Sequence, residues 1–300
     1  MAKVNKIQKI AASEYGRCVR LPSYRLWAVF VIGFAVVGAR FLVNQWAQPI
    51  YSFSETEWNN FRTLLANLAA VYYYVLPLFT AIVAHDLFDR SSQGLVATLS
   101  EHRAKASEIQ WGRLLGRLGF LVFVVIVSFV AGLTVVIAMV LSEPSALIEI
   151  GRVIVVLIFA ETLGVTIFWL VAAISCLVSD ATKSIMVSMA LLAFLLISAT
   201  LISDMLLYRA FGPMPITGTV GWGDFLRNAR DSAGTSVYRY YPMDTFLMFV
   251  TFLSGSVDFS AWFAIEVWFT PAIQAAIAFF IFLACAYKRR LFWSRWASAH

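Results

Sequence analysis

The sequence predicts an all-α membrane protein with six transmembrane helices, an N-terminal interfacial helix and an extracytoplasmic re-entrant helical hairpin before the last span. Three observations predict it. The 300 residues are 61% hydrophobic and 13% charged, with mean hydropathy +0.79, which is more apolar surface than a soluble domain of this size can hide. Six apolar runs, near 26–46, 62–84, 115–141, 152–178, 185–207 and 269–287, match the roughly 20 residues needed to cross a hydrocarbon core of about 30 Å. Of 23 Lys and Arg, 16 fall in the N-terminal tail, in 85–117, in 179–184 and in 288–300. Lys and Arg near span ends resist translocation, so both termini are expected in the cytoplasm of a multi-pass protein of the cell membrane. The chain reads as a single transmembrane domain, 1–300.

The first element is the N-terminal segment 1–25. Val4, Ile7, Ala11 and Cys18 share one helical stripe with Ile10 beside it, while Lys3, Lys6, Lys9, Arg17 and Arg20 lie largely elsewhere. Glu14 interrupts the stripe. Such a helix lies in the membrane interface, and Pro22 ends it before the first span. It is too long and basic, and its following apolar run too long, for a cleavable signal. Arg40 snorkels outward near the outer end of that span, and Trp46, Tyr51 and Trp58 suit the outer aromatic belt. Ser54 and Glu57 have capping-box spacing and start the helix of the second span, which Pro77 is expected to kink.

Ser107 and Gln110 repeat the capping-box spacing and start the third span. Gly112 and Gly116 form a small-xxx-small pair at its edge. The turn after the fourth span, around Asp180 and Lys183, leads to the fifth. The segment 208–268 is expected outside. Its run Thr245–Leu253 rises only about 14 Å as a helix, too short to cross, and reads as re-entrant or interfacial. An amphipathic piece, Phe259–Phe269, then leads through Pro271 to the sixth span.

Several functions are excluded. The pI near 9.3 does not imply nucleic acid, because the basic residues flank spans and no recognition helix or RNA-binding pattern accompanies them. Membrane lipids with anionic headgroups are the expected partner for this charge. The three Cys and three His neither cluster nor show metal-ligand spacing, so no protein-encoded metal site is expected. No Gly-x-x-x-x-Gly-Lys-Ser/Thr occurs, so the chain itself carries no phosphate-cradling P-loop. No Ser/His, paired Asp or His/Glu cluster inside the spans points to an intramembrane enzyme.

The one substantial cytoplasmic loop is 85–117. Leu95 and Leu99 are four apart, with His102 one turn further, which predicts a short amphipathic helix. The stretch from Asp86 to Gly116 reads DLFDRSSQGLVATLSEHRAKASEIQWGRLLG. It resembles the first cytoplasmic loop of permease subunits of the type-2 ABC exporter family. Arg90 takes the basic position, Gly94-Leu95 the Gly-Thr position, Leu99 the leucine, and Gly112-Arg113 the Gly-Lys. Asp89-Arg90 stands in place of the commoner Glu-Arg, and Arg103 lies near the place of the usual proline. The expected span count and termini are similar to that family too.

The resemblance implies a permease that pairs with a second permease subunit, identical or a paralogue, and docks two copies of an ABC ATPase subunit. Coupling residues would be Arg90, Gly94, Leu95, Leu99, His102 and Arg103. ATP and Mg would be bound by the ATPase, with no cofactor on this chain and no enzymatic activity of its own. Glu161 is the one carboxylate well inside a span, about 14 Å along the helix from Arg152. It marks a substrate path, a proton site or a structural hydrogen bond. An ion-gradient-driven secondary transporter using Glu161 is the alternative function.

Overall fold

The computed structural model describes residues 2–39, 61–88, 106–141, 150–178, 180–195 and 261–297. Every regular element among them is a helix. In chain order these are α1 (Ala2–Arg20), α2 (Pro22–Gly38), α3 (Phe61–Ala84), α4 (Ala106–Val140), α5 (Ile150–Leu177), α6 (Ala181–Leu195) and α7 (Ala261–Ala297).

Three helices are long and apolar enough to cross a membrane: Glu108–Met139, Ile150–Leu177 and Phe269–Lys288. Val71–Ala84 and Ala181–Leu195 are apolar but shorter. The described residues thus make a helical protein of membrane-embedded character, with three helices of full spanning length, or four if the bent pair Lys6–Arg20 and Pro22–Gly38 counts as one span. The first and fifth expected spans are described only as far as Ala39 and Leu195.

The bend between α1 and α2 has a local cause. A residue before proline is driven out of the helical region, and Leu21 adopts φ −68°, ψ 126° ahead of Pro22. One extended residue turns the chain, so Lys6–Arg20 and Pro22–Gly38 meet at 75°. Pro22 then occupies the first turn of α2, where its missing N–H costs nothing.

The core is one cluster drawn from α1 to α5 with contributions from α6 and α7. Helix α4 is its axis, touching α1, α2, α3 and α5, while α5 also packs on α3 and α7. At 1.5 Å per residue the 35 residues of α4 span about 52 Å, well beyond a hydrocarbon core of about 30 Å. No charged residue occurs from Leu118 to Val140. The charged start of α4 therefore falls at or beyond one edge of that core.

One sequence expectation is met here and one changes. Helix α4 begins at Ala106, beside the Ser107 and Gln110 spacing expected to start it, so 106–117, the last part of the 85–117 segment, is continuous helix. The piece after Ala261 is not separate from the last span. Helix α7 runs through Pro271 without a break, so this part of the expected hairpin is the start of a 37-residue helix. The rest of the expected hairpin, 208–260, lies outside the described residues, as do Arg40 and the Ser54–Glu57 box.

Candidate functional site: a buried charge cluster at the loop roots

Helix α1 lies against the start of α4 in the same chain direction. Ile7 and Ile10 meet Gly112, Ala11 and Glu14 meet Gly116, and the Tyr15 ring packs edge-on against Phe120 and Phe123 at 6.3 and 6.0 Å. The two glycines are what allow this approach. A Cβ on Gly112 would stand 2.6 Å from Ile10 Cβ, and one on Gly116 would stand 2.9 Å from Glu14 Cβ. The pair at 112 and 116 is thus the seat of α1, and small residues here let two backbones come together.

Glu14 does not interrupt the packed stripe of α1; it is the centre of it. Its side chain is 6% exposed and accepts a hydrogen bond from Arg117 Nε at 2.9 Å. Arg117 is fully buried. Its Nη1 donates to the Val83 carbonyl at 2.9 Å and to Asp86 Oδ1, and its Nη2 donates to Asp86 Oδ2 at 3.3 Å. Arg113 Nε stands 3.8 Å from Glu14 Oε1, and Arg17 pairs with Glu14 at 3.4 Å. Tyr24, at the start of α2, donates its hydroxyl to Asp86 Oδ1 at 3.2 Å and lays its ring 5.9 Å from the Arg117 guanidinium.

Four elements therefore converge on one guanidinium: α1 through Glu14, α2 through Tyr24, the end of α3 through Val83 and Asp86, and α4 through Arg117 itself. Buried charges persist only when paired and hydrogen-bonded, and the planar five-donor fork of arginine serves several acceptors at once. Burial would push the Asp86 carboxyl up, but the Arg117 guanidinium beside it outweighs this and holds it below the usual carboxylate range. Burial pushes the nearby Cys18 thiol up to about 11, against the pull of Arg117, so it remains a neutral packing residue.

This cluster sits at both roots of the segment 89–105. Asp86 lies three residues before that segment, and Arg113 and Arg117 lie eight and twelve residues after it, on the third and fourth turns of α4. An aromatic contact joins the same two roots. Phe88 and Trp111 both meet Phe282 of α7, at 6.1 and 6.2 Å, and Phe282 stacks on Trp169 of α5 at 5.1 Å. The Phe88 N–H donates to Ser175 Oγ of α5 at 3.1 Å. Among the described residues, a cavity of about 290 Å³ opens beside these rings, lined by Phe88, Gln110, Trp111, Phe282 and Tyr287 among others.

The sequence-derived coupling residues Arg90, Gly94, Leu95, Leu99, His102 and Arg103 lie outside the described residues. Glu161 is described, on α5. One turn on, Gly164 faces Leu76 of α3 and Leu121 of α4, so this part of α5 borders both helices. The Tyr72 phenol is within electrostatic reach of Glu161 and is hydrogen-bonded to Ser128 Oγ at 2.9 Å. Both Glu161 oxygens are buried, with no hydrogen-bond partner among the described residues.

Sequence reasoning missed Arg117, Glu14 and Asp86 as a unit, counting them only as loop and tail charges. One signal was present: Glu14 is the sole acid before Glu55, and it falls on the apolar stripe of α1. An acid in that place needs a buried cation. A scan against protein-family models matches none to this chain, and a search of curated proteins finds no match.

Proposed function

We propose that the chain is the membrane-spanning permease subunit of an ATP-binding cassette exporter, moving a hydrophobic or amphiphilic substrate with a separate ATPase. The observation that supports this reading most is the cluster at the loop roots. Asp86 and Arg117 tie the two ends of 89–105 to each other and, through Glu14, to α1. A segment anchored so tightly at both ends transmits a push on it into α3 and α4 as rigid bodies, which is what coupling to a motor subunit requires. In this reading Leu95, Leu99 and His102 form the face that docks on the ATPase, flanked by Arg90, Gly94 and Arg103. ATP and Mg belong to that partner, and a second permease subunit completes the pathway.

The test is association. Leu95→Asp combined with Leu99→Asp would bury unpaired charges in a partly dry contact, whereas free in water they cost little. The double variant is expected to reach the membrane folded and to lose co-purification with a P-loop ATPase. Wild-type association in the folded variant would discard this coupling face. The Glu161 carboxyl, without a hydrogen-bond partner among the described residues, favours a second reading, a secondary transporter driven by an ion gradient. Transport that persists without any ATPase and fails in Glu161→Gln would select it.

A further inference from the structure

One flank of α1 is cationic. Lys6, Lys9, Ser13, Arg17 and Arg20 follow one another at intervals of three and four, and all are exposed. This stripe lies about 120° around the helix from the packed stripe of Ile7, Glu14 and Cys18, taking about 100° per residue. The one acid of α1 is withdrawn from it, because Glu14 is turned inward to Arg117. What remains on the surface is positive, and Arg17 alone shares that acid.

The stripe runs into the elbow, and there the surface changes character. Arg25 is exposed and donates through Nε to the Val19 carbonyl at the end of α1. Leu26, Val29, Phe30 and Val37 follow as large exposed apolar residues of α2. Arg25 and Val29 are four apart, so the cation stands one turn before the apolar surface on the same face. A row of cations that gives way within one helical turn to exposed Leu, Val and Phe matches the boundary between lipid phosphates and acyl chains.

We propose that Arg20 and Arg25, on either side of the elbow, form a binding site for the phosphate of an anionic lipid headgroup whose acyl chains lie along Leu26, Val29 and Phe30, with Lys9, about 16 Å further back along α1, adding to the attraction of the anionic surface. Charge complementarity and the continuous apolar face both favour a lipid over an acidic protein segment, which would find no use for the exposed apolar residues. The site does not depend on the permease reading, since it requires only that α2 enter a bilayer.

The test uses the full chain in neutral detergent, titrated with phosphatidylglycerol, phosphatidylcholine, inorganic phosphate or a polyglutamate peptide. Bound lipid is counted by native mass spectrometry. The variant carries Lys9→Gln, Arg20→Gln and Arg25→Gln, and glutamine at 25 keeps a donor for the Val19 carbonyl. Wild type should hold phosphatidylglycerol on the order of tenfold to a hundredfold more tightly than the variant, in proportion to the cations removed. Phosphatidylcholine should bind the two alike, and phosphate should not compete. All three substitutions are on exposed side chains, so a shared elution profile and unfolding midpoint will show that both proteins are folded. Equal phosphatidylglycerol binding by the two folded proteins would overturn the proposal. So would displacement of the lipid by inorganic phosphate, or tighter binding of polyglutamate than of lipid.

Discussion

Two carboxylates of this molecule, Glu14 and Glu161, stand in opposite surroundings. Glu14 sits at the membrane edge with Arg117 bonded to it and Arg113 and Arg17 close by. Glu161 sits inside a span with both oxygens buried and no partner among the described residues. The first is held by residues that sequence separates by about a hundred positions, the second by none that is described. A buried acid with partners from several elements binds those elements together. A buried acid without them costs stability and is retained for another reason, or is cheap to replace.

The comparison is broken most directly at Arg117. Arg117→Met keeps the stem but strands Glu14 and Asp86 in the interior. Loss of one partner of a buried pair costs about 3–5 kcal/mol, so a large fall in the thermal midpoint of the detergent-solubilised chain is expected. A midpoint unchanged from wild type would mean that the cluster does not hold the elements together.

The glycine seat tests the same joint without touching charge. Gly116→Leu places a side chain against the Ala11 carbonyl and Glu14. Overpacking of this kind costs about 1–3 kcal/mol. Lys9 and Arg17 are already exposed, so displacement of α1, by letting its backbone unfold locally, should speed tryptic cleavage after them well above the wild-type rate. Equal digestion rates would show that the seat tolerates bulk.

Acid should sharpen the contrast at Asp86. Its carboxyl is held below the usual range because Arg117 outweighs the cost of burial. A depressed carboxylate contributes stability above its unfolded value near pH 4, and that contribution fades as pH falls toward the folded value. Wild type should therefore lose stability relative to Asp86→Asn as pH is lowered through about 4. Parallel melting curves for the two proteins across that window would remove Asp86 from the charge balance.

Glu161 should give the smallest change. Glu161→Gln keeps size and removes only the ability to ionise, which a buried carboxyl with no partner among the described residues does not use, so a shift within about 1 kcal/mol is expected, with most transport retained. If the midpoint dropped as far as in Arg117→Met, the acid would have a strong partner outside the described residues.

Composition and charge alone established a helical, membrane-embedded chain, because hydrocarbon admits apolar helices and leaves Lys and Arg at their ends. The same local rules placed the break at Pro22, where proline constrains its predecessor, and the amphipathic character of α1. Local rules failed where contact crosses the chain. Glu14 read as a flaw in an apolar stripe, and the small-xxx-small pair Gly112 and Gly116 gave no sign of which helix it would seat, because their meaning lies in each other. Only the tertiary structure brings residue 14 beside residue 117 and residue 86, and so turns three scattered charges into one joint at the roots of the loop. Periodicity along one helix reports which face is buried; it carries no record of which distant side chain waits there.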